Sequence, residues 1–302
     1  MEKLFELLHF AWRQENAVYR IGEIFSSAFA GGFSFKKLIA VFVAVIEMFG
    51  CVLFDMPLTP AGGELSLDGY SLVFEDEFDG DTLNEDNWFY RSSGSRRNGF
   101  NAASQVRVEN GNLIMTAEYL ENGEFGAGWY AGMISLREKY CRGYFEIKCK
   151  CNDGGEFWSA FWIQADSPYT HNISKGGPGG AELDIFEAPY GNKKGSPLYD
   201  SVTQTIHCNG YDDNEEKIDS RMLGIFKGNN IYNEYNTYGL EWTEDEYIFY
   251  INGVETARSS FGNGVSQVDE SVIVSLEIPE EITHSKDFTS QFVVDYVRIY
   301  QK

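Results

Sequence analysis

The stretch GGAELDIFEAPY, residues 179–190, sets three carboxylates, Glu182, Asp184 and Glu187, among the apolar side chains Leu183, Ile185 and Phe186. Successive side chains of a β-strand point to opposite faces. On a strand, Glu182 and Asp184 share one face while Leu183 and Ile185 share the other, the pattern of a strand lying over an apolar core. Glu187 stands an odd number of residues from Asp184, so a regular strand would turn it inward, where an unpartnered carboxylate is costly. One extra residue between them, taken up as a β-bulge, returns Glu187 to the acidic face. The expectation is therefore a bulged strand carrying Glu182, Asp184 and Glu187 in a row, with the two glutamate Cα atoms roughly 13 Å apart.

Outward from this stretch, the chain reads as short β segments. SLVF (71–74), QVRVE (105–109), NLIMTAEY (112–119), GYFEIKCKC (143–151) and EFWSAFWIQ (156–164) precede ELDIFEA (182–188). SVTQTIHC (201–208), TYGLEWT (237–243), EYIFYING (246–253), SVIVSLEI (271–278) and FVVDYVRIY (292–300) follow. Turn pairs such as Asn110-Gly111 and Asn252-Gly253 separate them, helical periodicity is absent and no internal repeat is found. The pattern predicts an all-β antiparallel sandwich or jelly roll over residues 61–302.

The net charge of −22 resides almost wholly in that region, since residues 1–60 hold five Lys/Arg and six Asp/Glu. Such a field repels phosphate backbones, and there is no basic stripe, zinc-finger spacing or phosphate-cradling glycine loop. Nucleic acid is excluded as a partner. Residues 1–60 read differently: Phe5, Leu8, Trp12, Val18, Ile21 and Phe25 recur at helical steps, and LIAVFVAVIEMFGCVLF (38–54) carries one charge, Glu47. The expectation is a helical, membrane-associated segment, either a signal anchor or an export signal, with a packed helix as the third reading. An anchor or an export signal would put the following domain at the cell surface or outside the cell, expected as a monomer. Cys149 and Cys151 share a strand face, and free buried thiols compete with disulfides as their state.

Three carboxylates in a row suit glycosidic bond cleavage. Two glutamates leaning toward each other over a shorter aspartate could approach the ~5–5.5 Å separation of a double-displacement pair. Glu182 would attack the anomeric carbon, Glu187 would protonate the leaving oxygen and then activate water, and Asp184 would orient Glu182. Crowded like charges should raise the pKa of the acid. A solvent-facing acidic edge, or a Ca²⁺ site with three oxygen ligands, fits the same spacing.

AELDIFE resembles the E-[IL]-D-x-x-E signature of glycoside hydrolase family 16, in the bulged-strand branch of laminarinases, agarases and carrageenases. FEDEFDG (74–80), FNAASQVRVENGNLIMTA (100–117), RGYFEIK (142–148), FWSAFW (157–162), TIHCNGY (205–211), YGLEWTEDEYIFYING (238–253) and FVVDYVRIYQ (292–301) are similar to that family's landmarks in its order. The resemblance implies a concanavalin A-like jelly roll whose concave sheet forms a glycan cleft, and retaining, endo-acting hydrolysis with no cofactor in the chemistry. Residue by residue it makes Glu182 the nucleophile, Asp184 the assisting acid and Glu187 the acid/base. It further implies sugar contacts by Asn101, Trp158 as a cleft wall, Trp162 as its floor and His207 in the cleft, with Glu77 and Asp295 at the position of a structural Ca²⁺. Two positions depart from laminarinases: Gly177 stands where a tryptophan is usual, and Met133 where an arginine is. With Gly177 in place, Trp129 or Tyr130 is an alternative sugar platform. β-1,3- or mixed-linkage β-glucan is the first substrate class and β-galactan the second. A transglycosylase or a non-catalytic lectin of the same fold stays open.

Overall fold

Alternating apolar and polar side chains make strands with one face to bury, and burying each Leu, Ile or Phe between two sheets contributes about 1.5–3 kcal/mol. The structure, a computed structural model, describes residues 57–166, 180–188, 195–196, 198–208, 219–260 and 264–302. In chain order the strands are β1 (Ser71–Asp76), β2 (Trp88–Tyr90), β3 (Gly94–Arg96), β4 (Gly99–Asn101), β5 (Val106–Val108) and β6 (Leu113–Gly123). Next come β7 (Gly126–Ala131), β8 (Met133–Tyr140), β9 (Gly143–Lys150), β10 (Trp158–Gln164), β11 (Glu182–Glu187) and β12 (Ser201–Cys208). The last six are β13 (Asp219–Lys227), β14 (Asn236–Trp242), β15 (Tyr247–Ile251), β16 (Val254–Ser259), β17 (Glu270–Glu277) and β18 (Thr289–Gln301). One 3₁₀ turn, Ala103–Gln105, is the only helical element among the described residues.

The strands form two sheets. An 11-stranded sheet runs β16-β15-β14-β9-β18-β6-β7-β4-β3, with β1 added on β18 and β5 on β6. A 7-stranded sheet runs β13-β12-β11-β10-β17-β8-β2. Phe145, Leu240, Phe249 and Val297 of the first and Phe161, Leu183, Ile206 and Val274 of the second meet in one buried core. Phe186 of β11 stacks on Tyr238 of β14 at 4.1 Å between ring centroids, which ties the two layers together directly beneath the acidic strand. The expected all-β sandwich is what forms, and Asn252 and Gly253, both at positive φ, make the tight β15–β16 turn that their sequence promised. Cys141, Cys149, Cys151 and Cys208 are free thiols, the last three buried.

The amphipathic and apolar parts of the N-terminal segment, including residues 38–54, lie outside the described residues; among those described, no helix is long and apolar enough to cross a membrane. The boundary expected at residue 60 falls inside a stretch that pairs with the domain. Leu58 donates its N–H to Ile225 O at 2.8 Å and accepts from Lys227 N at 2.8 Å, so it extends the 7-stranded sheet beyond β13. Gly62, Gly63 and Leu65 then bond to Glu255 and Gly253 along β16, the edge of the other sheet. A Cβ on Gly62 would meet Glu255 Cβ at 2.7 Å and its carbonyl oxygen at 2.8 Å, so only glycine permits this approach. The segment covers an exposed edge of each sheet, which otherwise invites pairing with another chain.

A chain beginning at Pro57 should therefore melt higher than one beginning at Ser66, which loses all of these edge bonds. At about 0.5–1.5 kcal/mol net per hydrogen bond, the difference should be about 5–10 °C in Tm. Equal melting temperatures in differential scanning calorimetry would show that the segment adds nothing to the fold.

Candidate active site

The acidic strand carries the bulge. Against β10, Glu187 faces Ala160, Phe186 faces Phe161, Asp184 faces Trp162 and Glu182 faces Gln164, leaving Ile185 without a partner residue. The same break appears against β12, where Glu182, Asp184 and Glu187 face His207, Thr205 and Thr203. Ile185 and Phe186 both enter the core beside Leu183, so the surplus residue is absorbed on the apolar side. All three carboxylates thereby stand on the outer face of the 7-stranded sheet, Asp184 buried and both glutamates partly exposed.

Each carboxylate has its own environment. Trp158 Nε1 donates to Glu187 Oε1 at 2.9 Å. Gln164 Nε2 donates to Glu182 Oε2 at 2.5 Å. His207 Nε2 lies 3.0 Å from Asp184 Oδ2, and its Nδ1 lies 2.6 Å from Ser220 Oγ. Burial first and the charge of Asp184 second push Glu187 up to about 8, against the opposing pull of the Trp158 hydrogen bond and of His207. Burial alone would lower His207, but its hydrogen bond to Asp184 and the charges of Asp184, Glu182 and Glu187 outweigh it and raise the imidazole. At neutral pH Glu187 thus carries its proton, and Asp184 faces a histidine whose proton affinity the surrounding carboxylates raise.

The ligand-capable atoms of Glu182, Asp184 and His207 lie within 4.8 Å of one another. The ring nitrogen that would face a metal is already spent on Asp184, and the arrangement is a hydrogen-bonded cluster. The Ca²⁺ expectation at Glu77 and Asp295 finds no support in the geometry. Glu77 Oε1 accepts from Arg298 Nε at 2.9 Å, and Asp295 Oδ2 lies 2.8 Å from Lys148 Nζ. Each carboxylate already faces a cation of the protein.

Around the acids, Trp162 is 9% exposed and packs with Met133, Ala160 and Ile273 into a small apolar floor, its Nε1 donating to Ser275 Oγ at 3.1 Å. Trp158 stands beside it, half-buried, with the Arg97 guanidinium 4.6 Å from its ring centroid. Arg97 and Arg96 are both held by Glu277 Oε2, at 2.6 and 2.7 Å, and Glu277 faces Trp158 across the β10–β17 pair. Asn101 is 1% exposed, and neither atom of its amide finds a partner among the described residues. Gly177 lies outside the described residues. The alternative platforms fail: Trp129 is buried in the main core, and Tyr130 is fully buried with its ring against Phe100.

Sequence reading did not find Arg91, Arg96, Arg97, Gln164, Ser220 or Glu277. The three arginines come from RSSGSRR (91–97), which reads as a loop. For Gln164 a signal existed: it is the next residue after Trp158, Ala160 and Trp162 on the same face of β10.

A two-sheet sandwich whose outer face bears a bulged Glu-Asp-Glu strand beside two tryptophans defines a glycoside hydrolase. The family model described as "Beta-porphyranase A-D, GH16 domain" matches residues 72–302, and the chain belongs to glycoside hydrolase family 16. Among curated relatives, "Glucan endo-1,3-beta-glucosidase A1" of Niallia circulans is 23% identical over 275 residues, 78% of this chain and 38% of that protein. The chain thus spans well under half the length of that relative. Among solved structures, a non-specific endo-β-1,3(4)-glucanase from family GH16 superposes with a TM-score of 0.63 at 22% identity, over 82% of this chain and 97% of that one. Porphyranase B from Zobellia galactanivorans gives 0.61 at 21% identity, over 82% and 98%. At such identities the shared property is the fold.

Because Trp158 donates its indole N–H to Glu187, that resonance should report the acid's titration. In ¹H–¹⁵N spectra it should shift with a midpoint of about 8. In His207→Gln the midpoint should rise, since the histidine's cation favours the ionised carboxylate. A midpoint between 4 and 5, the ordinary glutamate range of about 4.3, would contradict the assigned environment.

Proposed function

We propose that the domain is a retaining endo-β-glycosidase acting on a β-linked polysaccharide by double displacement. The observation that carries this reading is the division of labour across the bulge: Glu187 is pushed up to about 8, ready to give a proton, while Glu182 is held by a donor on the same face. In the first step Glu182 attacks the anomeric carbon, the glycosidic C–O bond breaks and the proton of Glu187 passes to the leaving oxygen. In the second, Glu187 takes a proton from water, the water oxygen bonds to the anomeric carbon, and Glu182 departs as a carboxylate. Asp184, buried between the glutamates and tied to His207, supplies the negative charge that keeps the proton on Glu187. As Glu187 ionises in the first step, positive charge on His207 favours the carboxylate it becomes.

Two of the expected sugar contacts share the face of the acids, and Asn101 comes from β4 of the other sheet. Trp162 forms the floor and Trp158 the wall, and the unpartnered amide of Asn101 suits a sugar hydroxyl, since a buried polar pair left unmade costs about 1–3 kcal/mol. β-Glucan is the first substrate reading, in keeping with the names of the glucanase relative and structure. A β-galactan reading is favoured by one specific observation, the match of the porphyranase family model along residues 72–302. The apolar run 38–54 is proposed to hold the enzyme at a membrane facing outward. Fractionation tests this, with full-length protein expected in the membrane pellet and free cytoplasmic protein contradicting it.

Glu182→Gln and Glu187→Gln should each lower kcat by about a thousandfold or more on natural polymer while leaving Tm within a few degrees. Asp184→Asn should retain more activity than either. Since the acid must carry its proton, kcat/KM should hold below about 8 and fall above it, as Glu187 ionises. Laminarin, mixed-linkage β-glucan, agarose, porphyran and mucin glycans, scored for released oligosaccharides, identify the substrate. Near wild-type turnover by Glu182→Gln on a polymer that the parent enzyme cleaves would overturn the assignment.

A further inference from the structure

Gln164 stands directly opposite Glu182 on the β10–β11 pair, and its amide nitrogen donates to Glu182 Oε2 at 2.5 Å. A glutamine amide can turn over at little intrinsic cost, and the turned form would aim its oxygen at the Glu182 carboxylate, acceptor against acceptor. What prevents this is Arg91, whose Nη2 donates to Gln164 Oε1 at 2.7 Å. A guanidinium only donates and an ionised carboxylate only accepts, so between them the amide has one satisfactory orientation. Arg91 is itself held. Its backbone N–H donates to Met133 O at 2.9 Å, and its guanidinium lies 5.8 Å from the centroid of the Trp162 ring. Trp162 is in turn fixed by Ser275.

We infer that Arg91 and Gln164 are positioning residues for Glu182: Arg91 locks the Gln164 amide so that its N–H₂ holds the Glu182 carboxylate in its attacking orientation. The inference rests on the reading of Glu182 as the nucleophile. Attack requires one carboxylate oxygen in line with the scissile bond, and a group free to rotate spends most of its time elsewhere. Both Gln164 and Arg91 contribute to this by hydrogen bonds, with no proton changing place between them. The positive charge behind the amide polarises it toward Glu182, which strengthens the donor. Met133 occupies the neighbouring position on β8 and offers no donor of its own, so the guanidinium reaches this face from the segment after β2.

Two measurements on the full-length chain test this, one without substrate. In ¹H–¹⁵N spectra the side-chain amide of Gln164, assigned by its loss in Gln164→Leu, should be ordered and should shift on Glu182→Gln and on Arg91→Met. An amide averaged by rotation and indifferent to both substitutions would overturn the inference. The second measurement uses whichever of laminarin, mixed-linkage β-glucan, agarose or porphyran the parent enzyme cleaves. Gln164→Leu should lower kcat about tenfold to a hundredfold with KM changed less than about twofold, and should move the acidic limb of kcat/KM to higher pH, because the donor favours the ionised nucleophile. Arg91→Met should act in the same direction, Arg91→Lys should recover most of the rate, and the Arg91→Met/Gln164→Leu double variant should be little worse than Gln164→Leu alone. Unchanged kinetics in Gln164→Leu and Arg91→Met, with Glu182→Gln inactive, would sink the relay while leaving the nucleophile in place. An active Glu182→Gln, or a parent enzyme that cleaves none of the polymers, would instead remove the reading beneath it.

Discussion

The single surplus residue in β11 is the constraint from which the site follows. A strand with perfect alternation could not turn Leu183, Ile185 and Phe186 into the core while also placing Glu182, Asp184 and Glu187 together on the opposite face. The bulge at Ile185 resolves the conflict by placing two consecutive side chains, Ile185 and Phe186, in the core. Phe186 then stacks on Tyr238 of the opposing sheet, so the packing that holds the sandwich together is the same packing that fixes the spacing of the acids. Shape and chemistry are coupled at one backbone irregularity.

Three carboxylates so placed repel one another. Unit charges ~5 Å apart in a medium of effective dielectric ~20 interact by roughly 3 kcal/mol, too much to leave unbalanced in a partly buried site. The structure answers in a different way for each: Glu187 keeps its proton, Asp184 faces an imidazole whose proton affinity it raises, and Glu182 accepts from Gln164. A second charge cluster, in which Glu277 gathers Arg96 and Arg97 beside Trp158, follows the same logic. A buried carboxylate alone would be costly, whereas one that accepts from two guanidiniums is compensated and shapes the wall of the site.

Much of this was legible in the sequence where periodicity carries information. Long strands such as β6, β9, β10 and β18 announce themselves by alternation, and Glu187 announces the bulge because it violates alternation. The short strands β2, β3 and β4 do not, since three residues are too few to show a period. The arginines escaped for a related reason: RSSGSRR has the composition of a loop, and its partners lie far along the chain, Gln164 for Arg91 and Glu277 for Arg96 and Arg97. Glu277 gave no signal of its own, because burial of a charge becomes intelligible only when its partners are known. Trp129 and Tyr130 could not be told from surface platforms without knowing that their faces meet the core and Phe100. A boundary at residue 60 gave no hint that residues 58–65 pair with both sheets, because edge pairing needs no side-chain pattern.

The central claim is that Glu182 and Glu187, separated by the bulge, act as nucleophile and acid/base. The most direct measurement gives Glu187→Ala an activated aryl β-glycoside together with azide, and determines the anomeric configuration of the product by NMR. Azide should restore turnover and yield the β-glycosyl azide, since it captures the intermediate on Glu182 with overall retention. An α-glycosyl azide would show that the removed residue was the nucleophile and would contradict the account.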